Sequence, residues 1–114
     1  MKKSGGKKND SEKIPLELLS PPWIEGVGRV LQFGKKKYAA HNWRQGISQG
    51  RLLGASLRHI VRYIGGEDLD QESGLAHTLH ASCCLMFSFE MSLARSDLDD
   101  RYKIYLKLGA IGGA

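Results

Sequence analysis

Glu67, Asp68, Asp70 and Glu72 crowd four carboxylates into six positions, and His77 and His80 follow closely. Oxygen donors at this density suit Mg²⁺ or Mn²⁺. Imidazoles at i and i+3 share one face of a helix. There they can ligate a metal, move protons near neutral pH or offset phosphate charge. An EF-hand is excluded. Counted from Asp68, its glycine position holds Ser73 and its final glutamate position holds Leu79. The same residues also read as a solvated acidic turn ahead of a helix N-terminus, followed by two core histidines. Spacing alone leaves both readings open.

Two further groups of residues have relevant chemistry. His59 lies beside Arg58, on a stripe with Leu52, Ser56 and Tyr63 that turns inward or sideways on its helix. From there it could join the histidine pair. Lys35, Lys36, Lys37, Tyr38, Asn42, Trp43 and Arg44 combine cations with aromatic rings and an amide. Cations hold phosphates, rings stack on bases, and Asn reads a purine edge. A free nucleotide and a nucleic acid both call for these types. The glycines form neither a Walker loop nor a GxGxxG turn. Glu25 is the only acid of the first helical segment, either a surface charge or an extra metal ligand.

Three long helices are expected to position these groups. The first opens at Ser20-Pro21-Pro22, a capping serine followed by prolines tolerated in a first turn. Ile24, Val27, Val30 and Leu31 continue it, and Gly34 weakens or ends it. The second spans about Gln49 to Ile64, with Leu53, Leu57, Ile60, Val61 and Ile64 as an apolar stripe and Gly65-Gly66 as its stop. The third runs from about Gly74 to Ala94 and is apolar nearly all round, as befits an innermost helix. Its histidine face continues through Cys84, Phe87 and Met91, expected to be buried. Ser96 to Asp100 reads as a turn, and Arg101 to Leu108 as a short last helix. The fold predicted is all-α, a compact helical bundle of three long helices plus short additional helices.

The chain has 114 residues, 41% hydrophobic and 25% charged, which fits one soluble domain. Its net charge of +5 owes much to Lys2, Lys3, Lys7 and Lys8. Residues 1–13 are read as a flexible basic tail, 14–108 as the helical domain and 109–114 as a Gly-rich tail. No aromatic residue interleaves with the leading lysines, which disfavours a nucleic-acid arm. No apolar run marks a secretory signal or a membrane span, so a cytoplasmic location is expected. Adjacent Cys83 and Cys84 cannot form a CxxC knuckle and are read as free thiols. A nearly all-apolar third helix in so short a chain predicts a homo-oligomer.

Several segments together carry a resemblance. They are Pro21-Pro22, Arg29 to Tyr38, Asn42-Trp43-Arg44-Gln45-Gly46, Arg51-Leu52-Leu53, Leu57-Arg58-His59, Gly66 to Leu75 and His77-Thr78-Leu79-His80-Ala81. Over roughly Ile14 to Leu93 the chain resembles the dATP/dGTP diphosphohydrolase N-terminal domain family, small proteins common in phages and prophages. The resemblance implies a MazG-like all-α hydrolase. Such enzymes use a divalent metal to cleave a (d)NTP between the α- and β-phosphates. On this basis Glu67, Asp70 and Glu72, with Glu25, are expected to hold Mg²⁺ or Mn²⁺. His59, Glu67, His77 and His80 are the expected catalytic groups. Lys37 and Arg58 would face the phosphates of a purine dNTP, and Tyr38, Asn42 and Trp43 its nucleoside. The chain departs from the MazG pattern, because Glu67 and Asp70 give ExxD spacing without a preceding ExxE. An HD-like phosphohydrolase is the alternative enzyme, although no contiguous His-Asp pair occurs. A small nucleic-acid-binding phage protein is the non-enzymatic alternative.

Overall fold

A computed structural model describes residues 12–107. The expectations for the basic leader up to residue 11 and for the glycine-rich end from residue 108 lie outside the described residues. Within them the regular structure is helical: α1 (Pro21–Lys37), α2 (Gln49–Ile64), α3 (His77–Ala94) and the short α4 (Ile104–Lys107). Single 3₁₀ turns occupy Leu16–Leu18, Asn42–Gln45 and Ser96–Leu98. The all-α expectation is met.

The helix starts follow from local chemistry. Ser20 Oγ accepts the Trp23 N–H ahead of α1, and Ser48 Oγ accepts the Arg51 N–H ahead of α2. Each side chain satisfies a donor that the first turn leaves free. Gly34 does not end α1, which continues to Lys37. One glycine costs a helix only about 1 kcal/mol, and three lysines at the C-terminal end complement the macrodipole. Conversely, α3 starts at His77 rather than near Gly74. The preceding residues fold back instead, in an antiparallel bridge between Leu69 and Ala76.

Helix α3 packs on both α1 and α2. Against α2 it runs antiparallel. His59 meets His77, Ser56 donates to the Ala81 carbonyl, and Gln49 donates to the Ser88 carbonyl. Against α1 the core is Val27, Val30 and Cys83, flanked by Leu31, Leu75, Leu79 and Phe87. Gly26 permits this approach, since a Cβ there would lie 2.5 Å from Leu79 Cδ1.

Burial differs from the sequence pattern in two places. The line of α2 that enters the core is Gln49, Leu52 and Ser56, while Leu57, Val61 and Ile64 of the apolar stripe are exposed. On α3, Met91 is buried as expected, but Cys84 and Phe87 are half-buried and Leu85, Phe89 and Leu93 are exposed.

Candidate functional site

The connection between α2 and α3 wraps the acids around the start of α3. Asp70 N–H donates to the Leu75 carbonyl, Gly74 N–H to the Asp70 carbonyl and His77 N–H to the Asp68 carbonyl. Gly74 takes a positive φ of 73°, which L side chains rarely adopt. Asp70 Oδ2 accepts two backbone N–H bonds, from Glu72 at 3.1 Å and Ser73 at 2.9 Å. The turn thereby holds Asp70 in one orientation. Burial works to raise its carboxyl, but the Ser73 N–H, nearby His80 and the Glu72 N–H hold it below the usual range.

Antiparallel packing then brings His59 across from α2. His59 Nδ1 lies 2.8 Å from His77 Nδ1, and His77 Nε2 lies 2.8 Å from Glu67 Oε1. His77 is only 1% exposed. The His77 hydrogen bond holds the Glu67 carboxyl below its ordinary value, aided by Gln71 and Arg62. An ionised carboxylate has no proton to give, so the Nε2–H of His77 donates to it. The His59 and His80 rings stack at 4.6 Å with 8° between their planes. His80 Nε2 lies 2.7 Å from Ser73 Oγ, which also accepts the Leu75 N–H. Burial pushes the His59 and His80 imidazoles below the usual histidine value; His80 and His77 add to this at His59, and His77 at His80, against the opposing charge of Asp70. The lowering favours the neutral form of both rings.

The basic and aromatic segment lines a cleft of about 510 Å³, a size suited to a small-molecule ligand. Lys37, Tyr38, Asn42 and Trp43 all contribute to it, as do Lys35, Arg51 and His80. Through His80 this cleft meets the histidine–carboxylate cluster. Lys37 Nζ also reaches Glu72 Oε2 at 2.8 Å, joining the end of α1 to the acidic connection. Trp43 stacks on Phe87, with ring centroids 4.3 Å apart, and the Arg44 guanidinium sits 4.4 Å from its centroid.

Of the residues singled out in the sequence, the structure gathers His59, Glu67, Asp70, His77 and His80 into one cluster. It places Glu72 against Lys37 at the cluster's edge. Arg58 lines a neighbouring cleft, together with Arg51, Cys84 and Phe87. Glu25 lines a third cleft, beside Arg29, Lys35 and Arg44. Ser73 and Arg51 were not among the expected site residues. Ser73 lies between acids and histidines in the sequence, a position that could have drawn attention to it. Arg51 borders both the main cleft and the Arg58 cleft, a placement that spacing on one helix does not show.

The model for "dATP/dGTP diphosphohydrolase, N-terminal" matches residues 3–101. The chain belongs to this family. The matched span takes in every residue of the cluster and the cleft. Within curated proteins, the chain is similar to the dATP/dGTP diphosphohydrolase of Salmonella phage PMBT28, 44% identical over 96 residues. That alignment covers 84% of this chain and 33% of the relative, so the chain spans about a third of the relative's length. No solved structure matches the chain. Among the described residues, no helix is long and apolar enough to cross a membrane.

Proposed function

We propose that this chain hydrolyses purine deoxynucleoside triphosphates with the help of a divalent metal, Mg²⁺ or Mn²⁺. One observation carries the reading: His80 belongs at once to the basic, aromatic cleft and to the cluster of His59, His77, Glu67 and Asp70. A phosphate-binding surface and a proton-handling, metal-capable centre thus share a wall. The family's name and the phage relative's name support the substrate class.

The geometry supports the following division of labour. Lys37, Lys35 and Arg51 face the triphosphate, and Tyr38 and Asn42 face the nucleoside. Water adds its oxygen to the α-phosphorus, the bond from that phosphorus to the α,β-bridging oxygen breaks, and pyrophosphate departs from the monophosphate. The neutral His80 ring, held by Ser73, accepts the proton that the water gives up. Asp70, Glu67 and Glu72 are the carboxylates nearest this centre, and a metal held there would acidify water and offset phosphate charge. The exposed apolar residues Leu57, Val61, Ile64, Phe89 and Leu93 support self-association of the chain.

The test is incubation with each dNTP and Mg²⁺ or Mn²⁺, with products resolved by chromatography. dAMP or dGMP with pyrophosphate is expected, and release of triphosphate would instead favour HD-like chemistry. A second reading comes from the relative's greater length, of which the alignment covers 33%: this region binds the nucleotide and another part of such proteins cleaves it. Nucleotide binding by the chain without turnover under either metal would decide for that reading.

A further inference from the structure

We propose that His59, His77 and Asp70 form the metal site, that it takes a first-row transition cation in preference to Mg²⁺, and that Glu67 positions His77 without ligating the metal. This deepens the hydrolase reading by changing which residues hold the metal.

The geometry points to these three residues. One donor atom from each of them lies within 4.8 Å of the other two. Ligands about 2.1 Å from one cation stand about 3.0–3.4 Å apart, so the two Nδ1 atoms, now 2.8 Å apart, must part slightly and Asp70 must stand at a like distance from both. Each donor is also free to face the centre. Asp70 uses Oδ2 for both backbone N–H bonds, which leaves Oδ1 outside the turn's backbone hydrogen bonds. Because the His77 Nε2–H is given to Glu67, its Nδ1 carries the lone pair, and that Nδ1 faces His59. A carboxylate on the far nitrogen of an imidazole is the usual way a protein orients a metal-bound histidine. His59 completes the set by moving its proton from Nδ1 to Nε2.

The carboxylates first expected as ligands are otherwise engaged. Glu67 is bound to His77 and Gln71, and Arg62 stands 3.6 Å away. Glu72 is paired with Lys37, and Glu25 lines a different cleft. Two imidazoles and one carboxylate do not suit Mg²⁺, which favours oxygen ligands. They do suit Mn²⁺, Co²⁺, Ni²⁺ or Zn²⁺. Three protein ligands also leave coordination positions open for water and a phosphate oxygen. His80, stacked on His59, would border those positions.

The test uses the full chain stripped with EDTA and titrated with Co²⁺, read by calorimetry and by the visible d–d bands. One Co²⁺ per chain is expected, and Mg²⁺ at tenfold excess should leave the bands unchanged. His59→Ala and Asp70→Asn should each weaken binding at least about 100-fold, because each removes a ligand, while Glu25→Gln should not change it. These variants avoid the buried His77, whose loss could prevent folding, and thermal melts check that each one folds. Glu67→Gln keeps an acceptor for the His77 Nε2–H, so it should weaken Co²⁺ binding about tenfold and Glu67→Ala about 100-fold. Both should keep the shape of the d–d spectrum, which a lost ligand would change. Unaltered Co²⁺ binding in folded His59→Ala, displacement of Co²⁺ by equimolar Mg²⁺, or a changed spectrum in Glu67→Gln would overturn the assignment. Histidine-dependent Co²⁺ binding without dNTP turnover would uphold the site and overturn only the hydrolase reading.

Discussion

Two glycines of α1 give a paired test of how this helix meets α3. Gly26 and Gly28 are both helical, so replacement by Ala should bring each the same propensity gain, about 0.8–1.0 kcal/mol. Their surroundings differ. A Cβ at Gly28 meets nothing within 4 Å, whereas a Cβ at Gly26 lies 2.5 and 2.6 Å from the two Leu79 methyls. Those distances fall well short of ordinary van der Waals contact, so Leu79 must change rotamer or α1 must move outward. Overpacking of this kind costs about 1–3 kcal/mol. Gly28→Ala should therefore stabilise by the full propensity gain, and Gly26→Ala should fall about 1–3 kcal/mol below it. For a domain of this size the gap is at least about 4 °C in Tm. Urea and thermal unfolding measure it directly. A double-mutant cycle with Leu79→Ala identifies the cause, because the Gly26→Ala penalty should vanish once the methyls are gone. Equal shifts for Gly26→Ala and Gly28→Ala would refute the close approach of α1 to α3.

Other outcomes follow from single contacts. Asp99 accepts from Arg101 at 2.7 Å and from Lys103 at 3.0 Å, which holds its carboxyl well below the usual carboxylate range. Its stabilising effect is then full above the unfolded value near pH 4 and fades as the pH falls towards the folded one. Tm should drop below about pH 4 in the native protein and drop less in Asp99→Asn. Burial pushes the Cys83 thiol up to about 12, so iodoacetamide at pH 8 should leave it unmodified in folded protein and label it in urea, as mass spectrometry would show. Tyr38 is 58% exposed in the cleft, and base stacking is worth about 1–3 kcal/mol. Tyr38→Ala should raise KM about 5- to 150-fold with little change in Tm. Trp43→Ala should mainly lower Tm, because it loses the stack on Phe87.

The helices were largely legible because their signals are local. A capping serine followed by Pro-Pro, and Gly-Gly after an amphipathic run, act within one turn of the boundary they set. The start of α3 was misjudged because Gly74 to Ala76 are committed by contacts that span the acidic connection. Asp70 and Leu75 bond across the fold-back, and Leu69 bridges Ala76. The face of α2 that packs inward also ran against hydropathy. Gln49 and Ser56 enter the core because each finds a backbone carbonyl on α3, while Leu57, Val61 and Ile64 remain outside. Apolar periodicity finds a helix more reliably than it finds which stripe is covered.

The candidate site divides along the same line. His77 and His80 share a face by helical spacing, and that was readable. The stripe of His59 with Leu52 and Ser56 was readable too, and it does turn inward. What spacing could not supply was the antiparallel register that sets His59 against His77 and so links α2 to the acidic connection. Without that register the carboxylates look like the metal ligands, because they are adjacent in sequence. With it, Glu67 is bound to the nitrogen of His77 that points away from His59, and Asp70 is the carboxylate that shares a donor set with His59 and His77. Trp43 shows the same limit. Its residue type suits base stacking, yet Phe87 and the Arg44 guanidinium already lie against its ring. A base entering the cleft would have to displace one of them, whereas Tyr38 is 58% exposed and has the Lys37 ammonium 5.7 Å from its ring centroid. Residue type decides what chemistry a side chain can perform, and its remaining neighbours decide whether it is free to perform it.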